Sequence, residues 1–187
     1  MCISTMRWSA RIVVAAVIPT MLTATPATGA PGHELASTAK GAPVADCLDS
    51  REQQVLGMIN AYRASHRLPA LTATKSLNRA AFLHSKDMGV RNYLSHVSAD
   101  GRTAWMRMKQ QGYAYNTYKG ENLFGGGYGT PGEAMRSWKR SPEHNRNMLS
   151  PRYRAVGIGY YRAPGSKWTH YYTTDFGGVV DPAPTCR

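Results

Sequence analysis

Acidic residues are scarce in this sequence: 11 Asp and Glu stand against 23 Lys and Arg, giving a formal net charge of +12. The basic residues are scattered, with no dense Lys/Arg run and no nucleic-acid motif, so no specific nucleic-acid partner is expected. Such a surface suits adhesion to acidic polymers or anionic lipid, and serves solubility equally well. The chain also lacks an apolar run of the ~20 residues that a membrane span needs; the run at 12–24 falls well short, and a membrane-spanning chain is not expected. Neither a His-Glu-x-x-His helix nor a Gly-x-Ser-x-Gly elbow is present, which removes two sequence signs of hydrolytic catalysis. Internal repeats are absent, and cysteine is limited to three residues.

What is present begins with an export pattern. Arg7 and Arg11 precede or open the apolar run, and small residues follow through Ala27, Gly29 and Ala30. This reads as a secretory signal peptide over residues 1–30, with an uncleaved anchor as the alternative. Its removal takes two basic residues, no acidic ones, and Cys2. Cys47 and Cys186 remain, an even pair in an oxidising compartment, and read as a disulfide. Closing so long a loop is worth roughly 4–5 kcal/mol in the loop-entropy account. Two free thiols are the alternative; with both cysteines tied up, no thiol nucleophile is evident. Residues 31–46, rich in Ala, Gly, Pro, Ser and Thr, read as a flexible leader, and 47–187 as the folded domain.

The periodicity predicts a helix over 51–65, with Ser50 and Gln53 at capping-box spacing and Val55, Ile59 and Tyr62 on one face. A second is predicted over 76–90, where Leu77, Ala81, His84 and Met88 form a stripe. His84 is therefore expected inside as a hydrogen-bonded core residue. A short helix is predicted over 103–111 with Trp105 and Met108 inward. Gly125–Gly127 reads as a loop. Thr130, Pro131 and Glu133 make a strong helix start, and Pro142 reads as the stop, followed by a turn over 145–149. Strands are predicted over 156–161 and 168–176, joined by a turn at Pro164-Gly165-Ser166. Helices early and strands late argue for an α+β fold with helices on an antiparallel sheet.

Four local patterns place polar residues at element boundaries, where sites are commonly built. They are Ser95-His96; Gly120-Glu121-Asn122; Trp138 to Ser141; and Pro142-Glu143-His144-Asn145-Arg146-Asn147-Met148-Leu149, which leads on to Val156-Gly157-Ile158-Gly159. With Asp175-Phe176-Gly177, this ordered set resembles the CAP superfamily of cysteine-rich secretory, antigen 5 and class-one pathogenesis-related proteins, in particular its bacterial secreted branch. The resemblance covers residues 52–178.

The resemblance implies a three-layer α-β-α sandwich with a central antiparallel sheet, in a secreted or cell-envelope protein. It also implies a cavity lined by His96, Glu121 and His144. The family's fourth member, a glutamate in eukaryotic relatives, falls at Ser141, and Glu143 is a second candidate for that role. Two imidazoles and a carboxylate are a set compatible with a weakly held divalent metal such as zinc, with acid–base chemistry, or with a polar cluster that only fixes loops. The implied partners are a lipid or sterol, a protein, or an acidic cell-surface polymer. The expected role is a binding module. The alternative is a metal-dependent hydrolase acting on peptide or cell-wall bonds. Tyr113, Tyr115, Tyr118, Tyr160, Tyr171 and Tyr172 are expected either to line a cleft or to cover the sheet. Asn122 and Asn147 are expected to bond backbone, and Arg146 to pair with Glu133 or Asp175.

Overall fold

The computed structural model describes residues 47–182. The expected signal peptide, the leader and Cys186 lie outside these residues, and with Cys186 the expected disulfide. Among the described residues the chain runs α1 (Ser50–Ser65), β1 (Thr72–Ala73), α2 (Lys75–Arg91), α3 (Ala104–Gln110), β2 (Lys119–Gly126), α4 (Pro131–Arg140), α5 (Pro142–Met148), β3 (Ala155–Arg162) and β4 (His170–Gly177).

The four strands form one sheet in the order β1-β3-β4-β2. It is antiparallel except for β1, whose two residues pair in parallel with Ala155 and Val156 of β3. Side chains alternate across a strand, so each strand feeds both faces. Val156, Ile158, Tyr172 and Phe176 point to the layer of α1, α4 and α5, where they pack with Val55, Ile59, Trp138 and Met148. Ala155, Leu123 and Tyr171 point to the opposite layer of α2 and α3, against Leu77, Met88 and Met108. The result is an α+β sandwich of helices, sheet and helices. Gly157 and Gly159 explain how closely α2 approaches: a Cβ at either would overlap the backbone of Leu77 and Asn78 or of Ala81 and Phe82.

Local signals account for most boundaries. α1 is capped by Asp49, whose side chain accepts from the Arg51 and Glu52 amides, while Glu52 accepts from the Asp49 amide. The capping box is therefore one residue earlier than the Ser50–Gln53 spacing suggests. The other Glu52 oxygen accepts from the Tyr160 amide at 2.8 Å and ties α1 to β3. Burial pushes this carboxyl up to about 7. α4 starts with Thr130 as cap, Pro131 in the first turn and Glu133 completing the box.

Three elements depart from the sequence expectation. α4 stops at Arg140, just ahead of Pro142 as expected, but Pro142 also opens a second helix, α5, because a proline costs no hydrogen bond in a first helical turn. The predicted turn over 145–149 is the body of that helix. The expected Gly125 loop belongs in part to β2, whose eight residues all pair with β4. In α3 the buried residues are Ala104, Arg107 and Met108, and Trp105 faces outward, half exposed.

Candidate functional site

β2 is an edge strand, so the helical layers on the two faces of the sheet can meet around it. From one side comes the loop after α2, which leaves the helix through Asn92 in a left-handed conformation (φ 57°) and carries His96. From the other comes α5, carrying His144 in its first turn and capped by Ser141, whose hydroxyl accepts from the His144 amide at 3.4 Å. Between them Glu121 projects from β2. His96, Glu121, Glu143 and His144 all line one cleft of about 590 Å³, together with Val97, Thr103, Trp105, Lys119 and Asn147.

The Gly120-Glu121-Asn122 triplet has a geometric reason. Asn122 donates to the His144 carbonyl at 3.0 Å and accepts from Asn147 at 2.8 Å, and Asn147 also donates to the Glu121 carbonyl at 3.1 Å. These bonds stitch α5 to the strand. Gly120 lets them form, since a Cβ there would stand 2.5 Å from Tyr153 Oη and 2.8 Å from Asn147 Oδ1.

Glu121 is buried, with a side chain 2% exposed, and both its oxygens are engaged. One lies 2.7 Å from His96 Nδ1, and the other receives a short hydrogen bond from Arg107. Arg107 is equally buried and also donates to the carbonyls of His96 (2.9 Å) and Arg102 (3.0 Å) and to Ser98 Oγ (3.1 Å). One guanidinium thus fixes both the loop that carries His96 and the carboxylate that orients its ring. Burial pushes Glu121 up, but the His96 hydrogen bond and the Arg107 charge outweigh it and hold the carboxyl below its usual range. The His96 ring, with its side chain 56% exposed, stands at the cleft mouth and faces the His144 ring at a centroid separation of 6.4 Å. Burial, and then proximity to His96, lower the His144 pKa, and its Nδ1 is buried without a protein partner.

Two further buried groups stand behind this cluster. Asp175 lies opposite Glu121 in the strand register and is fully buried, and among the described residues no donor meets either carboxyl oxygen. Burial, and then the Glu121 charge, raise its pKa well above the usual range. An uncharged acid is the form that can sit beside an ionised carboxylate. His84 is 1% exposed, with Nε2 2.9 Å from the Ser95 carbonyl. Burial lowers its pKa to about 4. It is a hydrogen-bonded core histidine that braces the loop carrying His96.

The two candidates for the fourth member differ. Ser141 is a helix cap outside the cleft lining, whereas Glu143 lines the cleft but is exposed and pairs with Arg146 at 3.6 Å, so Arg146 meets neither Glu133 nor Asp175. Tyr113, Tyr171 and Tyr172 are buried, whereas Tyr115 and Tyr118 are exposed. Arg107 is the functional residue that sequence reasoning misses. Its spacing with Ala104 and Met108 places it on the inward stripe of α3, which is the available signal.

A divalent ion would need donors free to bind it. Both Glu121 oxygens are taken, and among the described residues no group of three or more His, Cys, Asp or Glu is arranged to hold a metal. As it stands the donor set does not fit a three-ligand zinc centre. Among the described residues, no helix is long and apolar enough to cross a membrane.

The chain is 32% identical over 139 residues to the uncharacterized protein YkwD of Bacillus subtilis (strain 168), a match that covers 74% of this chain and 52% of that protein. It is 31% identical over 125 residues to the uncharacterized membrane protein YlbC of the same organism, covering 67% and 34%. The chain therefore spans about half or less of the length of these relatives. Among solved structures, an extracellular SCP-domain protein from Bacillus anthracis str. Ames superposes with a TM-score of 0.61 at 28% identity, covering 68% of this chain and 40% of that one. An outer surface protein of Borrelia burgdorferi shares the fold, with a TM-score of 0.59 at 20% identity, covering 70% and 95%. The model of the cysteine-rich secretory protein family matches residues 56–176, most of the folded part, and the chain belongs to this CAP family.

Proposed function

We propose that this chain is an exported binding module whose cleft takes a ligand between His96 and His144, the ligand being a lipid, a protein or cell-wall material. The observation that carries the reading is the orientation of His96. Its ring is held by a buried carboxylate that is itself held by a buried guanidinium, at the mouth of a solvent-reachable cleft. Fixing an exposed ring in this way costs desolvation of a charge pair, and pre-organisation for a ligand is a physical use of it. Binding accounts for the cleft better than hydrolysis does. Glu121 is committed to Arg107 and His96, and Thr103, whose hydroxyl is the sole one among the lining residues, caps α3. Export is supported by the N-terminal pattern and by the extracellular relative, and Cys47 and Cys186 are proposed to pair after export.

The test is a ligand screen read at the two rings. Fatty acids, glycan fragments and peptides are titrated into purified protein while the His96 and His144 signals are followed by NMR. The reading expects saturable perturbation confined to the cleft, lost in His96→Ala and His144→Ala. Turnover of any panel member, or saturable binding that leaves both rings unmoved, would overturn it.

A further inference from the structure

Large apolar side chains stand exposed at nine described positions, and five of them, Val97, Trp105, Met106, Tyr115 and Tyr118, come from the single stretch 97–118. Concentrating exposed apolar surface in one place is a mark of an interaction site, whereas single exposed residues are ordinary. Trp105 is 50% exposed and Tyr118 57% exposed, so their rings are only partly covered by the protein.

These two rings line a hollow of about 390 Å³ with Lys109, Tyr113, Thr117 and Lys119. Trp105 and Lys119 also line the His96–His144 cleft, so the two depressions adjoin along a shared rim. Among the described residues, no acidic side chain lines the hollow. Lys119 is held in place by donating to the carbonyls of Tyr115 and Thr117 and stands 5.8 Å from the Tyr113 ring centre, and outside the lining the Arg152 guanidinium lies 4.2 Å from the Tyr118 ring centre. In the adjoining cleft, Glu121 is neutralised by Arg107, and Glu143 pairs with Arg146. The hollow is thus basic and aromatic, and the cleft beside it carries no carboxylate without a cationic partner.

We propose that this hollow binds a strand of anionic glycan that runs on toward the histidine cleft. Sugar rings would stack their C–H faces on Trp105 and Tyr118, and carboxylate or phosphate substituents would meet Lys109 and Lys119. The proposal rests on the reading of the cleft as a binding site and names its ligand class. A sugar ring has an apolar face and a polar rim. The hollow offers the complement of both, flat amphipathic rings beside ammonium and hydroxyl groups. A lipid chain would leave the two lining ammonium groups, Lys109 and Lys119, without a counter-charge. Single-stranded nucleic acid also stacks on aromatic rings beside cations, so it is the competitor that the experiment must separate.

The purified protein is titrated by calorimetry and tryptophan fluorescence with four probes: oligogalacturonate, its uncharged methyl ester, oligothymidylate, and phosphatidylglycerol vesicles. Saturable binding of oligogalacturonate is expected, with the ester, the nucleic acid and the vesicles each weaker. Trp105→Ala should weaken oligogalacturonate about tenfold and Tyr118→Ala about threefold or more, in line with the loss of an aromatic anchor. Unchanged thermal melting of both variants shows that folding is intact, as half-exposed positions predict. Lys109→Gln should weaken the charged strand and leave the ester unaffected. No binding of oligogalacturonate, equal binding of the ester, tighter binding of nucleic acid or vesicles, or an unchanged affinity in Trp105→Ala would each overturn the proposal. His96→Ala separates the two readings. Affinity lost there and retained in Trp105→Ala overturns the glycan hollow and spares the cleft. The reverse pattern supports the hollow and counts against the cleft.

Discussion

Arg63 and Arg107 are both almost fully buried, yet their charges are accommodated in different ways. Arg63 meets only backbone: it donates to the carbonyls of Pro69 (2.9 Å), Met148 (2.8 Å), Ser150 (2.9 Å) and Tyr153 (3.5 Å). It thereby clamps α1 to the end of α5 and the chain that follows, away from the cleft. Arg107 meets a formal anion, Glu121, together with the loop that presents His96. The first arrangement supplies donors to carbonyls at the end of α5 and in the chain that follows. The second places a charge pair under a cleft. A buried ion pair is weak evidence for stability but good evidence that some geometry is being fixed. The comparison distinguishes a residue that serves the fold from one that serves the site.

The largest effect is expected at Arg63. Arg63→Met would leave the buried Met148 carbonyl without its donor and break the bonds to Pro69, Ser150 and Tyr153 as well, and should cost about 5 kcal/mol, read by urea denaturation. Arg107→Met would leave Glu121 buried with only His96 and should cost roughly 3–5 kcal/mol. If Arg63→Met proves the milder of the two, the division of roles is wrong.

The pH dependence sharpens the contrast. Without Arg107, burial would raise the folded-state pKa of Glu121 above its unfolded value. A carboxyl raised in this way stabilises the fold below the unfolded pKa, and that stability is lost as pH rises. The Arg107→Met deficit should therefore shrink by about 1 kcal/mol or more between pH 8 and pH 5. The Arg63→Met deficit should be flat over that range, because no carboxylate faces Arg63 among the partners it bonds.

A smaller effect is expected at His84, which braces the site from behind. Its folded pKa is lowered to about 4, so its contribution is complete above the unfolded value of ~6.5 and is lost as pH falls through 4. That is worth about 3 kcal/mol across the window, and His84→Gln, which retains a donor for the Ser95 carbonyl, should flatten the acid limb of the stability curve. The smallest effect is expected at Asp175. If its carboxyl is uncharged, Asp175→Asn changes little and should cost under about 1 kcal/mol at pH 7. A loss of several kcal/mol would mean that the group is ionised.

The parts of this molecule that are legible in the sequence are those governed by local rules. The Thr130-Pro131-x-Glu133 start, the Leu77–Met88 stripe and the strand at 156–161 follow from capping chemistry and periodicity and stand near their expected places. β2 is hidden because Lys119-Gly120-Glu121-Asn122 has the composition of a loop. It is a strand because β4 supplies a partner for each of its residues, which is a long-range fact. α5 is hidden because proline both stops and starts helices, and Ser141 as cap decides for a start. In the site, His96, Glu121 and His144 are singled out by a family resemblance. No periodicity brings positions 96, 121 and 144 together. Arg107 is missed because charge ordinarily marks an outward face, and Trp105 reads as inward because size ordinarily marks the core. Both departures fall on one helix beside the cleft.

The central claim is that the buried Arg107–Glu121 pair orients His96 toward His144. The most direct measurement is the ring tautomer of neutral His96, read from its side-chain ¹⁵N shifts. An ionised Glu121 can only accept a hydrogen bond, so the proton must sit on Nδ1, leaving Nε2 bare. The account predicts the Nδ1–H form in the native protein and a loss of that preference in Glu121→Ala, which removes the acceptor. A native ring carrying its proton on Nε2, or averaging between the two forms, would contradict it.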